Sequence, residues 1–405
     1  MAYLNLYISG WKEHGGAPGI GVIRFNSENG HMEYLGKQHE DLSCNCAVID
    51  TEKNILYITN ELHENPDFVK GGGGLIYAFS VNPESGELTQ LSRVYATAPC
   101  PCFLSLDKTR KYLLLANHSG YNCVTKAVKG EDGYYHMVRV FDDCSVCLFR
   151  LNEDGSIGPM VDVNNHEDYP VEGRALHSRP HTILPSPDGK FFACCDKGDS
   201  HIYFYELDYE NEKLVLVGDP YAEKPGTAPR YCAFHPTKPF FFHNHERNMD
   251  VASFTYNEKG ELTPVNVICS LADDVPQHNT LVTREYLHGE PMRFPNDGFM
   301  PLEQQGFVIH PNGKWIYDML NGADAVSVLN IDQETGALSL AQTVPVDGRW
   351  VRGCAISPDG RFLVVTCLQG GGVFCYAIGE DGKLGEPVSH VDFNGGSYAT
   401  FWPTK

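Results

Sequence analysis

The sequence predicts an all-β fold, a single seven-bladed β-propeller of four-stranded antiparallel blades, and three observations carry that expectation. The first is an internal repeat. SPDGKFFACCDKGDSHIYFYEL (186–207), HPTKPFFFHNHERNMDVASFTY (235–256), HPNGKWIYDMLNGADAVSVLNI (310–331) and SPDGRFLVVTCLQGGGVFCYAI (357–378) align without a gap, and weaker copies begin at residues 50 and 107. Each copy reads as a tight turn, an apolar strand, a short polar connection and a second alternating strand. The second observation is a further turn after each copy, at Asn29-Gly30, Ser85-Gly86, Asp154-Gly155, Lys259-Gly260, Thr335-Gly336 and Asp381-Gly382, with ENEKL (210–214) as a degenerate seventh. Glycine there supplies a positive φ at little cost, as hairpin turns require. The third lies in the chain ends. SYATFWPTK (397–405) aligns with RYCAFHPTK (230–238), so the last strand opens a unit that the first strand, YLNLYIS, continues. One blade built from both termini closes the ring and removes exposed strand edges. Residues 1–405 are then one domain.

Composition narrows the function. A net charge of −21 argues against binding a nucleic-acid backbone, which requires clustered Lys and Arg. An anionic substrate would need a local basic pocket to overcome that field. No apolar run approaches the roughly 20 residues of a membrane helix. YLNLYIS offers neither a basic leader nor a long apolar stretch, so the expected address is cytoplasmic, where the fourteen cysteines stay reduced. Cys194, Cys195, Cys232 and Cys375 sit in apolar strand patterns, as small hydrophobes do. Cys44/Cys46 and Cys100/Cys102 have C-x-C rather than the C-x-x-C spacing common in zinc sites. His243 and His245 share one strand face, and alternation turns Glu246 to the other, so these three do not share a metal. Neither a metal nor a cofactor is expected.

The repeat also orients the ring. The PDGK-like and E-x-G-like turns are short and lie at one end of the propeller. The long connections, 61–74, 121–142, 160–178 and 269–303, all emerge at the other, where binding and chemistry concentrate on a rigid scaffold. At the channel mouth on that face, the start of each inner strand places Asn45, Cys102, His181, Arg230, Gln305, Arg352 and Ser397. The end of each second strand places Glu61, His118, Lys197, Glu246, Asn321 and Leu368. The strands are antiparallel, so the two sets approach each other. Imidazole, guanidinium and carboxylate together can transfer protons and stabilise an anion.

SRPHTILPSPDGKFFACCDKGD and GTAPRYCAFHPTKPFFFHNHE resemble the HPH…PDGK…DxGxD and GPRH…HP…NE stretches of the seven-bladed lactonase propellers, a family that includes 6-phosphogluconolactonases and carboxy-cis,cis-muconate lactonizing enzymes. The resemblance spans the whole chain. It implies a site using His181, Arg230 and Glu246. The family's further Arg does not carry over, because DMLNGAD puts Asn321 in its place, and Tyr231 replaces the His of GPRH. Arg352, Lys197, Arg284 or Arg293 are the available substitutes.

The expected activity is hydrolysis of a sugar-acid or related lactone, the substrate being a small anionic molecule. His181 or Glu246 would transfer the proton and Arg230 would bind the carboxylate or oxyanion. Glu61, His118, Lys197, Gln305, Asn321 and Arg352 would contact the substrate. A cycloisomerase forming a muconate-type lactone and a non-catalytic binding propeller are the alternatives. The 269–303 insertion, with His278, Arg284, His288 and Arg293, is a candidate lid.

Overall fold

A computed structural model describes residues 3–118, 123–166, 169–171, 174–273 and 302–402. Seven antiparallel sheets form the blades, each running outward from an inner strand. Blade 1 consists of Gly396–Phe401, Tyr3–Gly10, Gly19–Asn26 and Met32–Gln38. Blade 2 follows as Cys44–Asp50, Ile55–Asn60, Leu75–Val81 and Leu88–Tyr95, and blade 3 as Pro101–Leu106, Tyr112–Asn117, Ser145–Leu151 and Ile157–Asn165. Blade 4 has Pro180–Pro185, Phe191–Asp196, His201–Asp208 and Lys213–Leu216, with a fifth piece, Tyr221–Ala222, completing its short outer edge. Blade 5 is Pro229–Phe234, Phe240–His245, Asp250–Tyr256 and Leu262–Cys269, and blade 6 is Glu303–Ile309, Trp315–Asn321, Ala325–Ile331 and Leu338–Pro345. Arg349–Ile356, Phe362–Gly370, Val373–Ile378 and Leu384–Val391 make blade 7. No helix among the described residues is long and apolar enough to cross a membrane.

The ring closes as its ends foretold. Leu6 pairs with Phe401 and Ile8 with Ala399, and the Trp402 amide donates to the Asn5 carbonyl at 2.8 Å. The hairpin glycines are part of the joints between blades. Gly86, Gly155 and Gly382 have φ of 74°, 81° and 81°. Their carbonyls accept hydrogen bonds from the buried hydroxyls of Tyr7, Tyr57 and Tyr317 in the preceding blade, at 3.2, 2.7 and 2.8 Å. A turn residue chosen for its φ thus also fixes the next blade's position, and each bond contributes about 1 kcal/mol.

Two of the long connections hold structure that their composition does not announce. The 121–142 connection contains an antiparallel hairpin, Cys123–Lys129 with Tyr135–Phe141, and 160–178 contains the last residues of an outer strand and a small hairpin, Tyr169–Val171 with Arg174–Leu176. The expected lid, 269–303, begins and ends in blade strands, and its residues 274–301 lie outside those described.

Candidate active site at the channel mouth

One backbone device recurs in all seven blades. Each inner strand slips out of register at the residue the repeat places at the mouth. In blade 4, Pro180 opposes Asp196 and Thr182 opposes Cys195, leaving His181 as the extra residue. Blade 5 does the same at Arg230 and Tyr231, blade 6 at Gln305 and Gly306, and blade 7 at Arg352. Asn45 with Cys46, Cys102 and Ser397 are the corresponding points in blades 2, 3 and 1. A bulge bends the strand and re-aims a side chain, so the slip directs this ring of residues toward the mouth. The freed amides are caught by second-strand side chains, Tyr231 by Asn244 Oδ1 at 2.9 Å and Gly353 by Thr366 Oγ1 at 3.0 Å. Glycine is required at 306, where a Cβ would stand 2.6 Å from the Arg352 carbonyl oxygen.

The ends of the second strands meet this ring through a matching contact. Glu61, His118, Lys197 and Glu246 each donate their amide to the carbonyl two residues before the bulge, on Ser43, Cys100, Arg179 and Ala228, at 2.8–3.1 Å. In the split blade the equivalent bond runs from Trp11 to Gly395 at 2.9 Å. Trp11 is therefore the seventh member of the second set, hidden from the repeat because its blade is divided between the termini.

Blades 4 to 6 carry the charge. Glu246 accepts from Lys197 Nζ at 3.0 and 2.8 Å and from Arg230 Nε at 2.7 Å, and all three side chains are buried. Burial alone would raise the Glu246 pKa, but Lys197 and Arg230 outweigh it and bring it down to about 2. Glu246 is thus an anion that orients two cations, and a carboxylate held so far down is poorly suited to the proton-transfer part expected of it. A second carboxyl does suit it. Glu303, on the same side of its strand as Gln305, is pushed up to about 7 by burial and by the neighbouring Glu246. Its Oε2 accepts from Gln305 Nε2 at 3.1 Å, and Gln305 Oε1 accepts from Arg352 at 3.2 Å. His181 is held well below its ordinary value by burial and then by Arg230 and Lys197, so its imidazole is neutral. His118 lies edge-on to it, with ring centroids 5.7 Å apart, and Tyr231 lies 5.1 Å away on another side.

Blades 7 and 1 present apolar surface instead. Trp11, Trp350 and Leu368 form one buried cluster, and the Arg352 guanidinium lies 4.0 Å from the Trp11 ring centre. In blade 2, Asn45 donates to Glu61, whose carboxyl is raised by burial against the pull of Arg352.

Several buried polar atoms at the mouth have no hydrogen-bond partner: Arg230 Nη1, His181 Nδ1, Glu303 Oε1, Asn45 Oδ1, and both ends of the Asn321 amide. Leaving a buried polar group unpaired costs about 1–3 kcal/mol, so a cluster of them marks a place shaped for something else. Buried Lys197, Arg230 and Arg352, with Arg247 beside them, act on Glu61, Glu246 and Glu303, of which the last is pushed up to about 7. This is the local excess of positive charge that an anionic ligand of so acidic a chain requires. Glu303 was missed in the repeat, although it stands two residues before Gln305 and its carboxylate accepts from the Gln305 side chain. Arg284 and Arg293 lie outside the described residues.

Comparison with known proteins agrees with this architecture. The chain is 25% identical over 352 residues to a 6-phosphogluconolactonase of Bacillus subtilis, covering 84% of this chain and 82% of the relative. It is 21% identical over 400 residues to a 6-phosphogluconolactonase of Formosa agariphila, covering 97% and 98%. The solved periplasmic gluconolactonase of Pseudomonas aeruginosa superposes with a TM-score of 0.77 at 21% identity, over 98% of this chain and 99% of that one. The model of the family described as lactonase, 7-bladed beta-propeller matches residues 5–401, and the chain belongs to that family.

Proposed function

We propose that the protein hydrolyses the lactone of an anionic sugar acid at the mouth of its channel. The observation that carries this reading is the set of unpaired atoms on Arg230, His181 and Glu303, three groups whose chemistry matches the three needs of ester hydrolysis. Arg230 Nη1 is a donor for the developing oxyanion, and the Nε edge of the guanidinium is held by Glu246. Neutral His181, with the proton on Nδ1, is a second donor to the same oxygen. Glu303, with a pKa near 7, is the base. It takes a proton from water as the water oxygen bonds to the lactone carbonyl carbon. Collapse of the tetrahedral intermediate breaks the ring C–O bond, and Glu303 returns the proton to the leaving alkoxide. The product is a hydroxy acid. Arg352 is placed for the substrate's carboxylate or phosphate, and the Trp11 side of the mouth for the apolar face of its ring. The names of the relatives, gluconolactonase and 6-phosphogluconolactonase, point to the same substrate class.

A pH-stat panel of neutral, carboxylated and phosphorylated sugar lactones tests the proposal. The anionic lactones should be opened well above their spontaneous rate and in preference to neutral ones. No acceleration with any lactone overturns the proposal, and loss of muconate absorbance without proton release would replace hydrolysis by cyclisation.

A further inference from the structure

Outside the mouth, the structure gathers a group that alternation alone did not reveal. His243 and His245 share a face of the second strand of blade 5, turned away from Glu246. The carboxylate that meets them comes from blade 4. Glu223 follows the short strand Tyr221–Ala222, which pairs with His201 and Ile202, and its amide donates to the Ser200 carbonyl at 2.9 Å. Its Oε1 lies 3.1 Å from His243 Nε2 and 3.8 Å from His245 Nε2, and one ligand atom from each residue falls within 4.8 Å of the others. The side chains of His243, His245 and Glu223 are 0%, 3% and 13% exposed, so the cluster is interior with a single thin wall at Glu223.

We propose that Glu223, His243 and His245 bind a divalent cation of the zinc type, with water in the fourth position. Two imidazoles and one carboxylate are a common zinc donor set, and this mixture favours zinc over magnesium or calcium, which prefer oxygen alone. Tetrahedral ligands at 2.0–2.1 Å from zinc stand about 3.3 Å apart. The Glu223–His243 edge, at 3.1 Å, is already close to that length. His245 has to turn to bring its Nε2 in from 3.8 Å, and no hydrogen bond of normal length opposes it, because neither of its ring nitrogens makes one although the residue is buried. That orphaned imidazole separates a ligand cluster from an ordinary hydrogen-bonded one, in which each ring nitrogen would have its own partner.

The position gives the cation a purpose independent of the reaction. Glu223 precedes Arg230 by one short connection, and His245 adjoins Glu246. A metal bridging blades 4 and 5 ties together the two segments whose side chains form the Arg230–Glu246 pair.

The test uses the full chain purified without an affinity tag, stripped with EDTA and reloaded with Zn²⁺ or Co²⁺. One equivalent of Zn²⁺ should survive gel filtration, and the Co²⁺ form should show the intense visible bands of four-coordinate cobalt. Melting temperature should rise by several degrees on loading. Glu223→Gln and His245→Gln should each weaken binding by more than about 100-fold, beyond the 10–100-fold typical of outer-shell groups, and erase the cobalt bands. Their metal-free forms should melt close to the metal-free parent, which keeps binding loss separate from misfolding. Retention of less than about a tenth of an equivalent by the parent, or full retention by both variants, overturns the proposal. Lactone hydrolysis is not needed for any of these readings.

Discussion

Blades 4 to 6 and blades 7 to 1 present the same backbone at the channel mouth, a bulged inner strand beside the end of a second strand, yet they carry different chemistry. On one side Lys197, Arg230, Glu246 and Glu303 sit in a connected set of ion pairs and orphaned polar atoms. On the other, Trp11, Trp350 and Leu368 pack into an apolar wall on which Arg352 rests. The scaffold is indifferent to which side is which, because the bulge aims whatever side chain occupies the position. What distinguishes the two sides is the cost of burial. A tryptophan is stabilised by it, whereas a charged set persists only where each charge has partners. The charged side is therefore kept at a cost in stability, as a working site would be, and the apolar side has the composition of an interior wall.

The largest expected effect breaks the charged side at its centre. Glu246→Gln leaves Lys197 and Arg230 buried beside each other without their anion. Removing one partner of a buried pair costs about 3–5 kcal/mol, which chemical denaturation would read directly. Activity should fall with it, because Arg230 loses the bond that orients it. If stability stays within about 1 kcal/mol of the parent, the side is not the cooperative unit described.

Next comes Arg230→Lys, which keeps the charge and removes the planar fork. The ion pair to Glu246 can survive, so melting should change little. The donor aimed into the mouth is lost, and turnover should drop by about 10²–10³, the usual cost of one oxyanion donor. A fall in substrate affinity with turnover unchanged would make Arg230 a binding residue only.

How much of this contrast was legible in the sequence follows from how each residue enters the repeat. His181, Arg230 and Gln305 could be read because the ungapped copies align at one position relative to the turn proline, and the bulge falls at that same position. Glu303 was hidden by its neighbour in sequence. It reads as the end of a long Pro- and Gly-containing insertion, and only the period-2 face it shares with Gln305 marks it as part of the strand. Trp11 was hidden because its blade is split, so no downstream copy of the turn precedes it. The charge state of Glu246 was beyond reach for another reason. That Lys197 from blade 4 and Arg230 from blade 5 converge on one carboxylate is a property of adjacent blades, which a single-blade alignment does not contain. The same holds for Glu223, whose blade-4 origin kept it apart from the His243 and His245 pattern.

Glu303→Gln sharpens the comparison through pH. As the base, Glu303 must be ionised, so kcat/KM of the parent should rise with pH through about 7, and the isosteric variant should lose that limb with about a 10²-fold drop in rate. Stability should move the opposite way. The Glu303 pKa is raised on folding, from an ordinary 4.5 to about 7, so the folded state binds the proton more tightly than the unfolded chain. That contribution is complete below about 4.5 and is lost as pH rises to 7. Thermal melts should show the variant close to the parent at pH 4.5 and more stable than it at pH 8. Parallel melting curves at both pH values would mean that Glu303 is not the strained carboxyl.

The smallest effect belongs to the apolar side. Trp11→Leu keeps the site apolar and removes the ring beneath the Arg352 guanidinium, a contact worth about 0.5–2 kcal/mol. On the proposed mechanism no proton moves on this side and no oxyanion forms there, so the loss should appear in binding. KM for an anionic lactone should rise by about 2- to 30-fold, the equivalent of that energy, while kcat changes by less than about 2-fold. The split between KM and kcat is what distinguishes a wall from a working group. A kcat loss as large as that of Arg230→Lys would show that Arg352, and not only Arg230, must be held in place for the chemical step.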